Sequence, residues 1–342
     1  MTSSAGRWLV PPPRHPPVAP GPVPTFSVVI AAYQSAATIA DAVTSALGQT
    51  TPPLEIVVCD DGSTDDLEDA LAPYRKELLL VRKENGGEAS AKNTAARAAS
   101  GDFVAILDAD DTYLPERLAA IGSLVAARPD LDVVTTDAFV ESDGKILGRV
   151  YDSSNPFEVE DQRREILRRN FVFGLAAVRR SVLLESGGYD ESIQVTTDWE
   201  LWIRLVLGGS VIGLVDAPLA TYRFWPASLS ADVIRLLEGR IQSLRHAARS
   251  PLLTSSDRRV LSLSMRNQGR RLALAQARRA LVEYQPDARR RALAVALGRG
   301  HPAPTRFKAV ASALMPVSAR KKLTKDDRWL RSSAGGTRSG SA

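Results

Sequence analysis

Cysteine is almost missing from this 342-residue chain, with Cys59 its only example. One cysteine excludes an intramolecular disulfide and points to a reducing compartment. Cys59 sits inside Ile56-Val57-Val58-Cys59 with no histidine nearby in sequence, so it reads as a buried strand residue rather than a nucleophile. Histidine is scarce too: only His15, His246 and His301 are present, which argues against a histidine-rich zinc centre. No apolar run approaches the roughly 18–20 residues needed to span a bilayer. Near the start, Trp8-Leu9-Val10 is too short for a signal-peptide core and is followed at once by Pro11-Pro12-Pro13. The expected location is therefore cytoplasmic, with peripheral attachment at the inner face of the membrane left open. No internal repeat is found.

What is there describes a soluble globular protein, 44% apolar and 24% charged. The length allows one large domain or two ordinary ones. A net charge of +5 conceals an asymmetry. Residues 1–230 hold 20 Lys+Arg against 32 Asp+Glu, and residues 231–342 hold 24 against 7. That split points to two modules, the second suited to an acidic partner.

Residues 1–24 are proline-rich without periodicity and read as a disordered arm. From Phe26 the pattern alternates. Buried-type strands are expected at Phe26–Tyr33, Leu54–Cys59, Leu78–Val81 and Phe103–Leu107, separated by amphipathic helices. Repeated strand-helix alternation is the mark of an α/β fold with a mostly parallel, doubly wound sheet. Further strands are expected at Val133–Thr136, Val211–Val215 and Leu219–Phe224, a hairpin around Ser142-Asp143-Gly144-Lys145, and a strong amphipathic helix at Thr197–Leu207. Residues 231–331 read as a basic helical extension and 332–342 as a Gly/Ser-rich disordered tail.

The chemistry gathers where strands end. Phe103-Val104-Ala105-Ile106-Leu107 runs into Asp108-Ala109-Asp110-Asp111, and ligands of open α/β sheets bind outside the carboxyl ends of strands. On an extended backbone Asp108 and Asp110 point the same way. Two hard oxygen ligands on one side suit Mn2+ or Mg2+. The other reading is a solvated turn or helix cap. Similar turns follow the first two strands, at Tyr33-Gln34-Ser35 and Asp60-Asp61-Gly62-Ser63, and Gly86-Gly87 precedes a helix N-terminus that could face a phosphate.

Taken together, Val28-Val29-Ile30-Ala31-Ala32-Tyr33, Asp60-Asp61-Gly62-Ser63-Thr64-Asp65, Asn85-Gly86-Gly87 through Ala91-Lys92-Asn93, Asp108-Ala109-Asp110-Asp111, Gly188-Tyr189-Asp190 and Asp198-Trp199-Glu200-Leu201-Trp202 resemble the family 2 inverting glycosyltransferases of the GT-A fold. The resemblance covers residues 26 to about 230, within an expected domain of 25–230. It implies a Rossmann-like sheet flanked by helices, a nucleotide-diphospho-sugar donor and a hydroxyl acceptor, lipid-linked or polysaccharide. It implies that Ala32 and Tyr33 border the base, that Asp60 or Asp61 accepts a hydrogen bond from it, and that Lys92 lies near the diphosphate. Asp108, Ala109 and Asp110 match the family's DxD, Asp110 being the better metal ligand. Asp198 matches the catalytic base and Trp199 would lie on the acceptor side, with Arg223 as a phosphate partner.

Plainer roles compete: Asp60, Asp65 and Asp198 as helix caps, Lys92 as a surface lysine, and Trp199 as core like Trp202. The chain also departs from the family pattern. Ala31, Gln34 and Thr197 stand where proline, asparagine and glutamate are usual, and Trp225 stands where a histidine commonly contacts metal or diphosphate. Ala31 and Gln34 are tolerable departures, while Thr197 and Trp225 keep a non-catalytic sugar-nucleotide or partner-binding protein as the alternative. In the extension, Phe307, Val310, Ala311 and Leu314 at helical spacing beside Arg306, Lys308, Arg320, Lys321 and Lys322 fit either a membrane-surface segment or a helical appendage. Nucleic acid is not expected, since few aromatics interleave with the arginines.

Overall fold

Apolar strands buried on both faces set the architecture. A computed structural model describes residues 2–3, 6–13, 20–224, 232–298 and 303–314. It divides into two units, residues 1–224 and 225–342.

In the first unit the elements run β1 (Thr2–Ser3), β2 (Gly6–Leu9), β3 (Phe26–Ala32), α1 (Ile39–Leu47), β4 (Glu55–Asp60), α2 (Leu67–Leu71), β5 (Leu79–Arg82), α3 (Glu88–Ala98), β6 (Phe103–Asp108) and β7 (Thr112–Tyr113). They continue with α4 (Arg117–Ala127), β8 (Val133–Ser142), β9 (Lys145–Arg149), α5 (Gln162–Ile166), β10 (Ala177–Arg179), α6 (Arg180–Glu185), α7 (Thr197–Gly208) and β11 (Ile212–Arg223). The sheet order is β1-β2-β11-β8-β10-β6-β3-β4-β5, with β7 against β11 and β9 against β8. β3, β4, β5 and β6 are mutually parallel, and β10 enters antiparallel beside β6. The chain winds outward from β3 to β5, then returns to lay β6 on the other side of β3. Strand order therefore reverses at the β3–β6 junction, the crevice where such sheets bind ligands.

The core forms where strand residues such as Val28, Ile30, Ile56, Val58 and Leu107 meet Ile39, Val43 and Leu118 of the helices. One polar strand residue, Ser27, is buried there because it is satisfied. Its hydroxyl donates to Glu55 (2.7 Å) and accepts the Gly101 amide (2.8 Å).

Three expectations need correction. Part of the arm expected to be disordered is ordered: Arg7–Leu9 of β2 pair antiparallel with Leu214–Asp216 of β11, because an edge strand has unpaired amides to offer. The two strands expected at 211–215 and 219–224 are one, β11. Its register slips on either side of Pro218, a residue that cannot donate to a ladder. Likewise 133–142 is one strand, and Asp143 and Gly144, both at positive φ, turn it into β9.

The second unit contains α8 (Val233–Ala247), α9 (Ser255–Val282), α10 (Ala288–Leu297) and α11 (Ala303–Leu314). A capping box starts α9: the Thr254 hydroxyl accepts the Asp257 amide (3.2 Å) and the Asp257 carboxylate accepts the Thr254 amide (2.8 Å). Among the described residues no helix is long and apolar enough to cross a membrane. Trp225, Arg320, Lys321, Lys322 and the 332–342 tail lie outside the described residues.

Candidate active site

The turn after β4 is built by its own carboxylates. Asp60 accepts the Ser63 amide (2.8 Å), and its other oxygen keeps a longer contact to Arg82 Nε (3.4 Å). Asp61 accepts Lys83 Nζ (2.8 Å) and the amides of Gly86 (3.0 Å) and Gly87 (2.7 Å). The expected phosphate cradle at Gly86-Gly87 is thus already occupied, and the anion it holds is Asp61. Asp61 thus uses three of about four acceptor positions, whereas Asp60 holds one hydrogen bond and one longer ion contact. Gln34, expected only as a tolerated departure, ties the turns together. Its amide oxygen accepts the Thr64 and Asp65 amides (3.0 Å each) and its backbone N–H donates to Ser63 Oγ (3.1 Å). Beside it, Ala32 is buried and Tyr33 is 53% exposed.

β6 ends at Asp108, and Ala109 and Asp110 form a turn closed by the Asp111 amide donating to the Asp108 carbonyl (3.1 Å). The carboxylates are therefore gathered by a turn rather than aligned on an extended strand. Their proximity shows in their protonation. Asp110 is pushed up to about 6, first by burial and then by Asp108. Asp111, buried, is raised well above the ordinary carboxylate range, first by burial and then by Asp108 and Asp110. One Asp111 oxygen accepts the Arg223 amide (2.8 Å), and the other has no hydrogen-bond partner among the described residues.

Lys92 is the cation at the centre. It is a buried residue of α3 bridging Asp108 (2.8 Å) and Glu88 (2.5 Å). Burial opposes its charge, but Asp108 and Glu88 outweigh that and hold its pKa well above the ordinary lysine range. Its field also reaches Asp110, Asp111 and Asp198. Lys92 is thus no surface lysine; Glu88 takes its nearest contact and Asp108 the next.

Asp198 lies in the first turn of α7, after Thr196, whose left-handed φ of 64° is strained for a β-branched residue. It accepts a hydrogen bond from Asn170 Nδ2 (2.9 Å) and is densely surrounded, yet keeps solvent contact. Its pKa is raised, burial outweighing the Trp199 amide, Lys92 and Asn170. The helix N-terminus alone would favour the ionised form, so here desolvation wins. Asn170 carries no local sequence signal for this role.

The Gly188-Tyr189-Asp190 loop is pinned by Asn93. Its Nδ2 donates to the Tyr189 carbonyl (2.9 Å), and its Oδ1 accepts the Tyr189 amide (2.7 Å). That sets the Tyr189 ring with its centroid 5.8 Å from Lys92 Nζ. Gly188 has φ +75°, and an added Cβ would lie 2.3 Å from Asn93 Oδ1. Gly188→Ala is expected to cost about 2–4 kcal/mol, read by urea denaturation; an unchanged midpoint would mean that the clamp can yield.

Two expected site residues take other places. Trp199 is 1% exposed and donates its indole N–H to the Ile166 carbonyl (2.8 Å), so it offers no face to an acceptor. It is core, because the carboxylate of residue 198 and the ring of residue 199 leave the helix on different sides. Trp199→Phe is expected to lower stability by about 1–3 kcal/mol for the lost bond and leave the acceptor KM unchanged; a raised KM would restore the acceptor role. Arg223 ends β11, its amide on Asp111 and its guanidinium on Asp41 (3.0 Å). It stands next to the acidic turn but is paired with a carboxylate.

This arrangement is that of a GT-A glycosyltransferase fold. Residues 27–187 match the family model described as Glycosyl transferase family 2, and that stretch is a domain of this family. The succinoglycan biosynthesis protein ExoO of Rhizobium meliloti is 31% identical over 229 residues, 63% of this chain and 64% of that protein. Two solved structures share the fold. Staphylococcus aureus TarS 1-349 in complex with UDP-GlcNAc has TM-score 0.60 and 20% identity, covering 90% of this chain and 91% of that one. The mannosyltransferase PcManGT of Pyrobaculum calidifontis in complex with GDP-Man and Mn2+ has TM-score 0.55 and 22% identity, covering 93% and 88%. The chain spans 60% of the length of two matched Rickettsia glycosyltransferases, 26% of the Escherichia coli chondroitin synthase and 64% of ExoO.

Proposed function

We propose that this chain is a metal-dependent inverting glycosyltransferase that moves a sugar from a nucleoside diphosphate to an acceptor hydroxyl, in the synthesis of a polysaccharide or glycoconjugate. The observation that carries the reading is the charge arrangement at the β3–β6 crevice. One buried cation, Lys92, lies within the electrostatic reach of both the Asp108–Asp111 turn and Asp198, so both acidic groups are disposed around it.

The donor set fits a divalent cation. Asp108 and Asp110 are partly exposed oxygen ligands, crowding raises Asp110, and a buried Asp111 oxygen has no partner among the described residues. Like carboxylates this close destabilise one another until a cation joins them. Asp110 would hold it, with Asp108 shared between it and Lys92. Bound there, Mn2+ or Mg2+ supplies charge neutralisation for a diphosphate.

The remaining steps belong to the chain's own residues. Asp60, Ala32 and Tyr33 form the edge that receives the base. Lys92 holds Asp108 in place and adds a positive field where the diphosphate gathers negative charge. Asp198, oriented by Asn170, takes the proton of the acceptor hydroxyl as its oxygen attacks the anomeric carbon from the face opposite the leaving group. Desolvation makes Asp198 a stronger base than an ordinary carboxylate, matched to a hydroxyl that becomes acidic only as attack proceeds.

Family membership of residues 27–187, with UDP-GlcNAc in one structural neighbour and GDP-Man with Mn2+ in another, supports a nucleotide-sugar donor. The test is thermal shift with UDP, GDP and dTDP, with and without Mn2+, followed by turnover of the matching sugar nucleotides. A shift with one nucleotide that needs Mn2+ is expected. No shift with any of them sinks the donor assignment, and binding without turnover leaves the non-catalytic alternative.

A further inference from the structure

The hairpin of α10 and α11 packs against the size preference of a core. Ala292, Val295 and Ala296 of α10 and Ala309 and Ala313 of α11 are buried, most of them in one small cluster with Ala277 of α9. The large residues of the same helices face out: Leu293 (45% exposed), Leu297 (75%), Phe307 (76%), Val310 (40%) and Leu314 (72%). Burying each of these would gain more than burying alanine, by roughly 25 cal/mol per Å2 of apolar surface. A sequence that keeps small residues inside and turns Leu and Phe to solvent has an outer face with something to meet.

Charge identifies the occupant. Residues 231–342 carry 24 Lys+Arg against 7 Asp+Glu. Arg289 stands one turn before Leu293 and two before Leu297, with exposed Arg290 beside it, and exposed Lys308 follows Phe307. A second copy would bring like charge against like charge. Nucleic acid offers phosphates but no place for five aliphatic and aromatic side chains, and only one of the five can stack on a base. An anionic bilayer offers both, headgroup phosphates for the arginines and the acyl boundary for the apolar residues.

We propose that the α10–α11 hairpin is an interfacial anchor that docks on an anionic lipid surface. The idea goes beyond the glycosyl-transfer reading and stands apart from it, because its residues take no part in the donor site.

The test is flotation of the full chain with vesicles of phosphatidylcholine containing phosphatidylglycerol and with vesicles of phosphatidylcholine alone. Partitioning at least about tenfold stronger to the anionic vesicles is expected, weakening in high salt. Phe307→Ser with Leu314→Ser should lower it about tenfold while circular dichroism stays unchanged, since both side chains are exposed. Arg289→Glu with Arg290→Glu should do the same by charge. Equal partition to both vesicles, or no flotation at all, overturns the proposal. So does binding that the serine pair leaves intact, because that would be generic polyanion attraction. A Phe307-dependent dimer in light scattering without flotation assigns the face to a second copy instead.

Discussion

Asp198→Asn should lower kcat by about 10²–10⁴-fold, the usual worth of a positioned general base, while the Kd for nucleoside diphosphate stays unchanged. Asparagine keeps the shape, and its carbonyl can still accept the Asn170 hydrogen bond that now holds Asp198. What it loses is the capacity to take a proton. The same substitution should not lower thermal stability and is expected to raise it at neutral pH. The folded pKa of Asp198 is raised by burial above the unfolded carboxylate value. Its charge therefore costs stability above the folded pKa, and that cost vanishes below the unfolded value. The enzyme's acid limb should follow the same group, with kcat falling as Asp198 protonates above the ordinary carboxylate range. Calorimetry and a pH–rate profile read both halves. Turnover that survives Asp198→Asn would remove the base assignment outright, and a drop in activity accompanied by a drop in Tm would point to misfolding.

Asp110→Asn is expected to reduce Mn2+-dependent nucleotide binding at least about tenfold, since changes outside the ligand shell alone reach that size. Metal-independent binding of the nucleoside should be retained. In chelator, with no divalent cation present, the variant should be more stable than the parent. Asp110 has a folded pKa of about 6 against about 4 for an unfolded aspartate. The penalty is absent below the unfolded value, grows between the two, and is complete above about 6. The gain of Asp110→Asn, on the order of 1–3 kcal/mol, should therefore appear at pH 8 and fade toward pH 4. Denaturation at both pH values with EDTA and isothermal titration with Mn2+ and nucleotide check it. A variant that binds Mn2+–nucleotide as the parent does would move the cation away from this turn. Both substitutions trade function against stability in the same direction, as expected where a site gathers charges that the fold alone would not choose.

The legibility of the sequence followed the physics of each element. β3, β4 and β6 were visible as apolar runs because a strand buried on both faces has no polar alternation to confuse it. The acidic turns were visible because chain order placed them directly after those runs. β2 was not, since four residues just ahead of a proline run carry no periodicity and become a strand only because β11 offers them an edge. Gln34, Asn93 and Asn170 were equally hidden as working residues. Each acts on a partner 28 or more residues away in sequence. Trp199 shows the opposite error: it neighbours Asp198 in sequence but the helix sends its ring into the core.

By itself the sequence determined the alternation that makes a doubly wound sheet, the acidic turns at strand ends, and the charge split between two modules. Those are local properties, fixed by residue type and spacing. Only the tertiary structure decided which carboxylates have capacity left. Asp61 is spent on the Gly86-Gly87 amides, Lys92 is committed to Asp108 and Glu88, and Asp198 is made more basic by the crowding around it. Such assignments depend on desolvation and on partners brought in from distant segments, and neither is written in the order of residues along the chain.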